Sequence, residues 1–582
     1  MRLAHRAILI GAAALTAAAG CARPVDLPAA DLLLRNGRVY TFTWDEPGLD
    51  GTPAANAPFG PEGWHPDATA IATEGGAILY VGDDAGAEAF IGEHTRVIDL
   101  EGATVLPGLV DAHTHVANLG ATLEQVDLVG VADEAEAVER VARRAAETPA
   151  GEWIIGYGWD EGAWANDYPD KRLLSERVPD HPVLMRGLHS FAVWGNQMAL
   201  DAAAISAATP DPEGGRIERG ASGAPTGLLL DRATSLLTDA VPPPDLARLE
   251  ERFSTGLEAM AAAGYTMVHE AGVDAHQLRA LENLGATGRL PIRVYAMLSA
   301  ADEQLLRQWM AWGPDTDGTD FLITRSVKAF YDGALGSRGA RLLADYTDRP
   351  GHRGVSGEQY GFDEPLLAAM MDAGFQASVH AIGDAGNRET LDFFARTLDR
   401  HPQAAGLRHR IEHAQVIHPR DFWRFRSLGI TASMQPGHAM EDKAWALERL
   451  GEQRLQGAYA WRSLRLLRVP LVFSSDLPGS DHDIFYGLHS AIARRDRQGQ
   501  PPGGWYPGQR MSAEEAIRGY TSWAARAGFT EDRSGALIPG YWADITVMSI
   551  DPLVVGSEAP ERLLQGRISM TIAGGRVVHE AG

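Results

Sequence analysis

Asp111-Ala112-His113-Thr114-His115 closes an apolar run, and its two histidines are the first sign of chemistry in the chain. Residues i and i+2 of a β-strand point to the same side, so both imidazoles can reach one ion. Alone, the pair carries little weight, because a chain with 19 histidines forms such a pattern readily. Four more ionisable residues sit in comparable places. Lys328 lies inside SVKAFYD, His380 ends FQASVH, His413 ends HRIEH and Asp476 ends LVFSSD. Leaving so many polar groups buried and unpaired is costly, which favours a shared task. Imidazole and carboxylate donors suit a divalent ion, zinc first, with iron, manganese or nickel as alternatives. The donors outnumber the needs of one tetrahedral ion, so one or two ions are expected. A buried lysine ammonium would repel them. Lys328 therefore fits only if neutral, or carboxylated by CO₂ into a bridging carbamate; a salt-bridged structural lysine is the alternative.

These residues need elements to carry them. Eight strand-like runs follow one another: 103–113, 265–271, 292–298, 326–332, 375–380, 409–413, 430–434 and 471–476. Amphipathic stretches such as QLRALENL, EQLLRQWM, PLLAAMMDAG and RETLDFFARTL separate most of them. Near-continuous apolar strands alternating with helices indicate a parallel sheet. Eight repeats indicate a closed (β/α)₈ barrel, an α/β fold whose active site lies at the C-terminal strand ends. Residues 114–264 are far longer than the dozen or so residues of an ordinary crossover, so an inserted cap is expected at about 117–250. It is rich in Gly and Trp. Trp153, Trp159 and Trp164 read equally well as a pocket wall or as cap packing. Residues 31–106 and 535–582 both read as short strands and turns, so a small discontinuous β-sandwich is expected, with the barrel over 107–534.

The chain has 582 residues, 45% apolar and 22% charged, the composition of a globular protein of more than one unit. Net charge is −25, which argues against nucleic acid as a partner. Met1 to Cys21, MRLAHRAILIGAAALTAAAGC, has a positive start, a short apolar run and small residues before the single cysteine. That run is too short for a spanning helix and suits a signal peptide.

The Ala-Ala-Gly-Cys ending resembles a bacterial lipoprotein box. The resemblance implies cleavage before Cys21, lipidation of its sulfur, and a protein exported and anchored to a membrane, facing the periplasm or exterior. VLPGLVDAHTH, VKAFYDGALGSR, VHAIGDAGNR, RHRIEHAQ, ASMQP and SSDLP resemble the amidohydrolase superfamily, more closely its amidohydrolase-3, YtcJ-like branch. That resemblance implies a barrel with a small β-sandwich. It also implies His113 and His115 as first-strand ligands, and His380 and His413 as ligands on the fifth and sixth strands. Lys328 takes the bridging position, and Asp476 acts as both ligand and proton shuttle. One departure lies in the cap, where Gly187-Leu188-His189 replaces an acidic-Gly-His pattern.

Asp160, His189, His269, Asp332, Arg338 and Gln435 are candidate contacts for a small-molecule substrate, because binding residues concentrate on loops and strand ends near the mouth. No cysteine nucleophile is left once Cys21 is lipidated, and no G-x-S-x-G motif is present, so metal-activated water is the simplest nucleophile. The expected reaction is hydrolysis of an amide or other non-peptide C–N bond. Ester or lactone hydrolysis and deamination are alternatives at the same centre. A non-catalytic, lipid-anchored binding protein is the reading from outside the enzymes, and a homodimer is an open expectation.

Overall fold

The computed structural model describes residues 28–159, 168–187, 192–315, 321–581. Eight strands form one parallel sheet: β1 Leu109–Thr114, β2 Tyr265–Val273, β3 Arg293–Ser299, β4 Leu322–Phe330, β5 Gln376–Ala381, β6 Arg410–His413, β7 Thr431–Met434 and β8 Leu471–Phe473. They neighbour one another in chain order, and helices on the outside bury their other face. Strands covered on both sides must be apolar throughout, which is why they read as continuous runs. The architecture is the expected (β/α)₈ barrel.

No ladder joins β8 to β1. Side chains and single backbone bonds close that seam. The Asp111 carboxylate accepts the Ser475 N–H at 3.0 Å and the Ser475 hydroxyl at 2.6 Å. One step further, the Asp476 N–H donates to the His113 carbonyl at 3.0 Å.

The run over 103–113 divides in two. Residues 104–107 enter a five-stranded sheet with 38–39, 545–548, 568–573 and 576–580, while 109–114 enter the barrel. Gly108 lies at the break, where a Cβ would come within 2.2 Å of the Thr266 hydroxyl. A second sheet of 77–82, 70–74, 32–35 and 96–99 packs on the first around Leu34, Val39, Ile71, Val105, Ile545 and Ile572. This β-sandwich braces the foot of the barrel. Leu109 N–H donates to Thr546 Oγ1, and the buried Arg293–Asp544 pair at 2.7 Å ties β3 to it.

Between β1 and β2 lies a separate six-stranded sheet, ordered 126–127, 154–159, 183–187, 192–195, 225–231 and 215–219. The inserted unit is thus an α/β layer with its own core, its strands running from 126 to 231. Helices Val116–Leu123 and Leu246–Ala262 flank it and pack on each other against the barrel. Trp159 is fully buried beside Trp194, so it packs the insert and walls no pocket. Among the described residues, no helix is long and apolar enough to cross a membrane. Cys21 and the first residues lie outside the described residues, as do Asp160, Trp164 and His189.

Candidate metal centre

The barrel brings the ligand candidates to one end. His113 projects from β1 and is fully buried. Its Nδ1–H donates to Glu412 Oε2 at 2.6 Å, which leaves Nε2 as the lone-pair nitrogen. That Nε2 lies 3.5 Å from Asp476 Oδ1, and His115 Nε2 lies 3.4 Å from the same oxygen. Two donor atoms on one tetrahedral ion, each at about 2.0–2.1 Å, are about 3.4 Å apart, so this trio has the spacing of a shared ion. The other carboxylate oxygen, Oδ2, is 3.8 Å from His413 Nδ1 and 3.7 Å from His438 Nε2. His380 sits beside His413, with ring centroids 4.5 Å apart. Its buried Nε2 has no hydrogen-bond partner. An orphaned buried imidazole nitrogen in a nest of imidazoles and a carboxylate is what a divalent ion would satisfy. Lys328 Nζ donates to His113 Nε2 at 3.0 Å and lies over the Phe330 ring. All six expected residues therefore lie in one cluster.

Backbone geometry aims two of them. His413 has φ 72° and Asp476 φ 60°, left-handed values that non-glycine residues adopt at a cost of about 1–3 kcal/mol each. At His413 the twist breaks strand alternation, so Glu412 and His413 both reach the interior from consecutive positions.

Charges in the cluster are strongly coupled. Burial brings the Lys328 ammonium down to about 8, against the pull of Glu412 and Asp476. Burial and the nearby lysine hold His113 at about 4 and His380 at about 3, so both are neutral donors. Burial opposes the charge of Asp476, but His113, His115, His413 and His438 outweigh it and hold the carboxyl well below the usual range. Burial likewise opposes the charge of Glu412, and Arg410 and His113 overcome it.

Glu412, Arg410 and His438 join this cluster, although the sequence did not single them out. Arg410 is buried, pairs its Nε with Glu412 Oε1 at 2.7 Å, and donates to Glu412 Oε2 at 3.1 Å, the Ala112 carbonyl at 2.6 Å, Ser433 Oγ and His269 Nδ1. The RIEH tetrapeptide held the only hint, a charged pair two positions apart on one strand face.

The remaining substrate candidates each have protein partners, and Asp332 Oδ1 also lies 3.6 Å from His380 Nε2. His269 is fully buried and accepts from Arg410 at 2.9 Å, so it supports the network. Asp332 is buried, and its carboxylate accepts the N–H groups of Arg341, Ile382 and Gly383 at 2.8–2.9 Å, so it fixes the loop after β5. Arg338 spends its guanidinium on both oxygens of Asp348. Gln435 accepts from His413 Nδ1 at 2.9 Å and donates to Ser474, which orients a ligand.

Known proteins resemble this chain in sequence and fold. The putative amidohydrolase YtcJ of Bacillus subtilis (strain 168) is 32% identical over 85% of this chain and 92% of its own length. An N-substituted formamide deformylase of Arthrobacter pascens is 26% identical over 84% of this chain and 91% of its own. The crystal structure of an uncharacterized metal-dependent hydrolase from Pyrococcus furiosus superimposes with a TM-score of 0.71 at 27% identity, covering 90% of this chain and 99% of the other. The profile of the amidohydrolase family matches residues 96–579. That span contains the strand-end histidines and Asp476, and the chain belongs to the amidohydrolase family and is a metal-dependent hydrolase.

Proposed function

We propose that this enzyme hydrolyses an amide or other non-peptide C–N bond of a small molecule, with zinc as its ion. Asp476 carries the reading: one ionised carboxylate faces histidines from β1 and β6 and from the helix after β7, so it can both ligate and accept a proton. His113, His115, His380, His413 and Asp476 would hold a divalent ion, which would supply Lewis acidity towards a water and a carbonyl. Asp476 takes the proton of the attacking water and returns it to the leaving nitrogen. Burial brings Lys328 Nζ to about 8, and its neutral form would add to CO₂ with loss of a proton, the carbamate giving the centre further oxygen donors. The similarity to an N-substituted formamide deformylase puts N-formyl amines among the substrates to try. We also assign cleavage before Cys21 and a lipid on its sulfur, which places the enzyme outside the cytoplasm.

The test is a panel of N-acyl amino acids, N-formyl amines, cyclic amides, esters and aminopurines, offered to the zinc-loaded chain and to His113→Ala. Amide turnover that the substitution abolishes is the expected result. Turnover of esters alone, or wild-type protein without stoichiometric metal, refutes the reading. For the anchor, Cys21→Ser should move the protein from the membrane fraction to the soluble one; an unchanged distribution refutes it.

A further inference from the structure

We propose that His438 is a catalytic residue, placed to donate a hydrogen bond to the carbonyl oxygen of the scissile bond as charge builds on it. The inference rests on the hydrolytic reading above. His438 stands in the first turn of the helix Pro436–Asp442, just past β7. That helix is tied down on both sides of it. Gly437 approaches the loop after β8 so closely that a Cβ would lie 2.7 Å from Ser480 Oγ, and the same hydroxyl donates to Glu441 at 2.6 Å. At the far end, Asp442 accepts from Gln415 at 2.8 Å and from the Tyr459 hydroxyl at 2.6 Å. The His438 ring lies nearly parallel to His413, at 17° and 6.2 Å between centroids. A group held this way is preorganised for contact with a bound molecule.

Its chemistry follows from what surrounds it. His438 Nε2 is 3.7 Å from Asp476 Oδ2, too far for a hydrogen bond, so the contact does not consume its donor. Its side chain is 18% exposed where that of His413 is 4%, so it lies on the open side of the carboxylate. Oδ2 is also the oxygen turned away from the His113–His115 pair. When water adds to a carbonyl, the attacking oxygen and the carbonyl oxygen end on one carbon. The base that takes the water's proton and the donor that meets the other oxygen must therefore be neighbours, as Asp476 and His438 are.

The same atoms argue against His438 as a metal ligand. Gln435 donates its side-chain amide N–H to Ser474 Oγ at 2.8 Å and presents its carbonyl oxygen to His413 Nδ1 at 2.9 Å. That nitrogen is thus the protonated one, and it is the His413 nitrogen nearest Asp476 Oδ2. On that side His438 has no second nitrogen lone pair beside it to share an ion.

The experiment compares His438→Ala and His438→Gln with wild type, all zinc-loaded and full-length, on the fastest substrate of the panel, amide or ester. Loss of one such donor typically costs about 10²–10³-fold in kcat. The alanine variant should show that fall with little change in KM, and with unchanged metal content and melting temperature. The glutamine variant, which keeps an amide donor, should recover part of the rate. Loss of metal in either variant would make His438 a ligand and overturn the proposal, and so would an unchanged kcat. A wild type inert on the whole panel refutes the hydrolytic reading itself and takes this inference with it.

Discussion

Glu412→Gln isolates what a buried carboxylate does for a metal-binding histidine. Glu412 is fully buried and touches His113 Nδ1 at 2.6 Å and Arg410 Nε at 2.7 Å. Glutamine has the same shape but only one accepting oxygen. If that oxygen faces His113, the amide hydrogens meet the guanidinium; if it faces Arg410, they meet the imidazole N–H. Either orientation leaves the buried Arg410 cation without its counter-charge, and breaking a buried pair in this way costs about 3–5 kcal/mol. The second frees the His113 ring to turn or to change tautomer. Outer partners of ligating histidines are worth about 10–100-fold in metal affinity, or about 1.4–2.7 kcal/mol. Two effects should therefore appear together. Metal-free protein should melt earlier than metal-free wild type, and zinc should be lost to a graded chelator series at 10–100-fold lower chelator strength. Because a ligand stabilises the native state by its binding free energy, the rise in melting temperature on zinc addition should shrink as well. A variant that melts early yet competes for zinc as wild type does would show Glu412 to be a purely structural anion, and the orientation argument would fail.

Three further outcomes are expected. Gly120→Ala should destabilise the protein by about 1–3 kcal/mol, because its Cβ would lie 2.0 Å from the Arg252 carbonyl oxygen where helices 116–123 and 246–262 touch; an unchanged melting temperature contradicts that packing. Asp332→Ala orphans three N–H groups at about 1–3 kcal/mol each and should cost about 3 kcal/mol or more in stability, whereas a selective rise in KM would restore it as a substrate contact. His409 is buried, accepts the Ala377 N–H on Nδ1 and donates from Nε2 to Ala404, and burial holds it at about 4 against 6.5 when free. Its neutral form is the folded one, so its contribution is complete above pH 6.5. Between pH 6.5 and 4 that contribution falls away by about 1.4 kcal/mol per unit. Melting temperature should thus drop more steeply from pH 7 to pH 5 in wild type than in His409→Gln, and parallel slopes would count against this account.

The barrel was legible because its strands are covered on both faces and its ligands close them. FQASVH and HRIEH show this directly: apolar residues run up to a histidine and stop. Glu412 was harder to see. One position from His413, it should point the opposite way by strand alternation, and only the φ of 72° at His413 lets both point inward. Period-two reasoning cannot anticipate a left-handed residue at a strand end. His438 escaped for another reason. It lies beyond β7 in a short helix whose placement depends on Gly437 meeting Ser480 and on Asp442 meeting Tyr459, contacts far apart in the chain. The sheet of the insert was hidden because its strands are short and mix parallel with antiparallel pairing. Trp159 showed the limit of composition: an aromatic beside glycines fits a pocket or a core equally, and burial alone separates the two.

The unladdered seam between β8 and β1 has a consequence for how the fold breathes. His113 stands on one lip and Asp476 on the other, and the backbone bond between them is among the few that hold the lips together. An ion gripped by both side chains is a staple across the place where the cylinder is most easily pried open. Loading the centre and shutting the cylinder are then one equilibrium, and a chelator becomes an unzipping agent. Hydrogen exchange at the amides of Ser475 and Asp476 would register it, slow in the zinc-loaded enzyme and fast in the stripped one, while exchange rates indifferent to zinc would detach the staple from the seam.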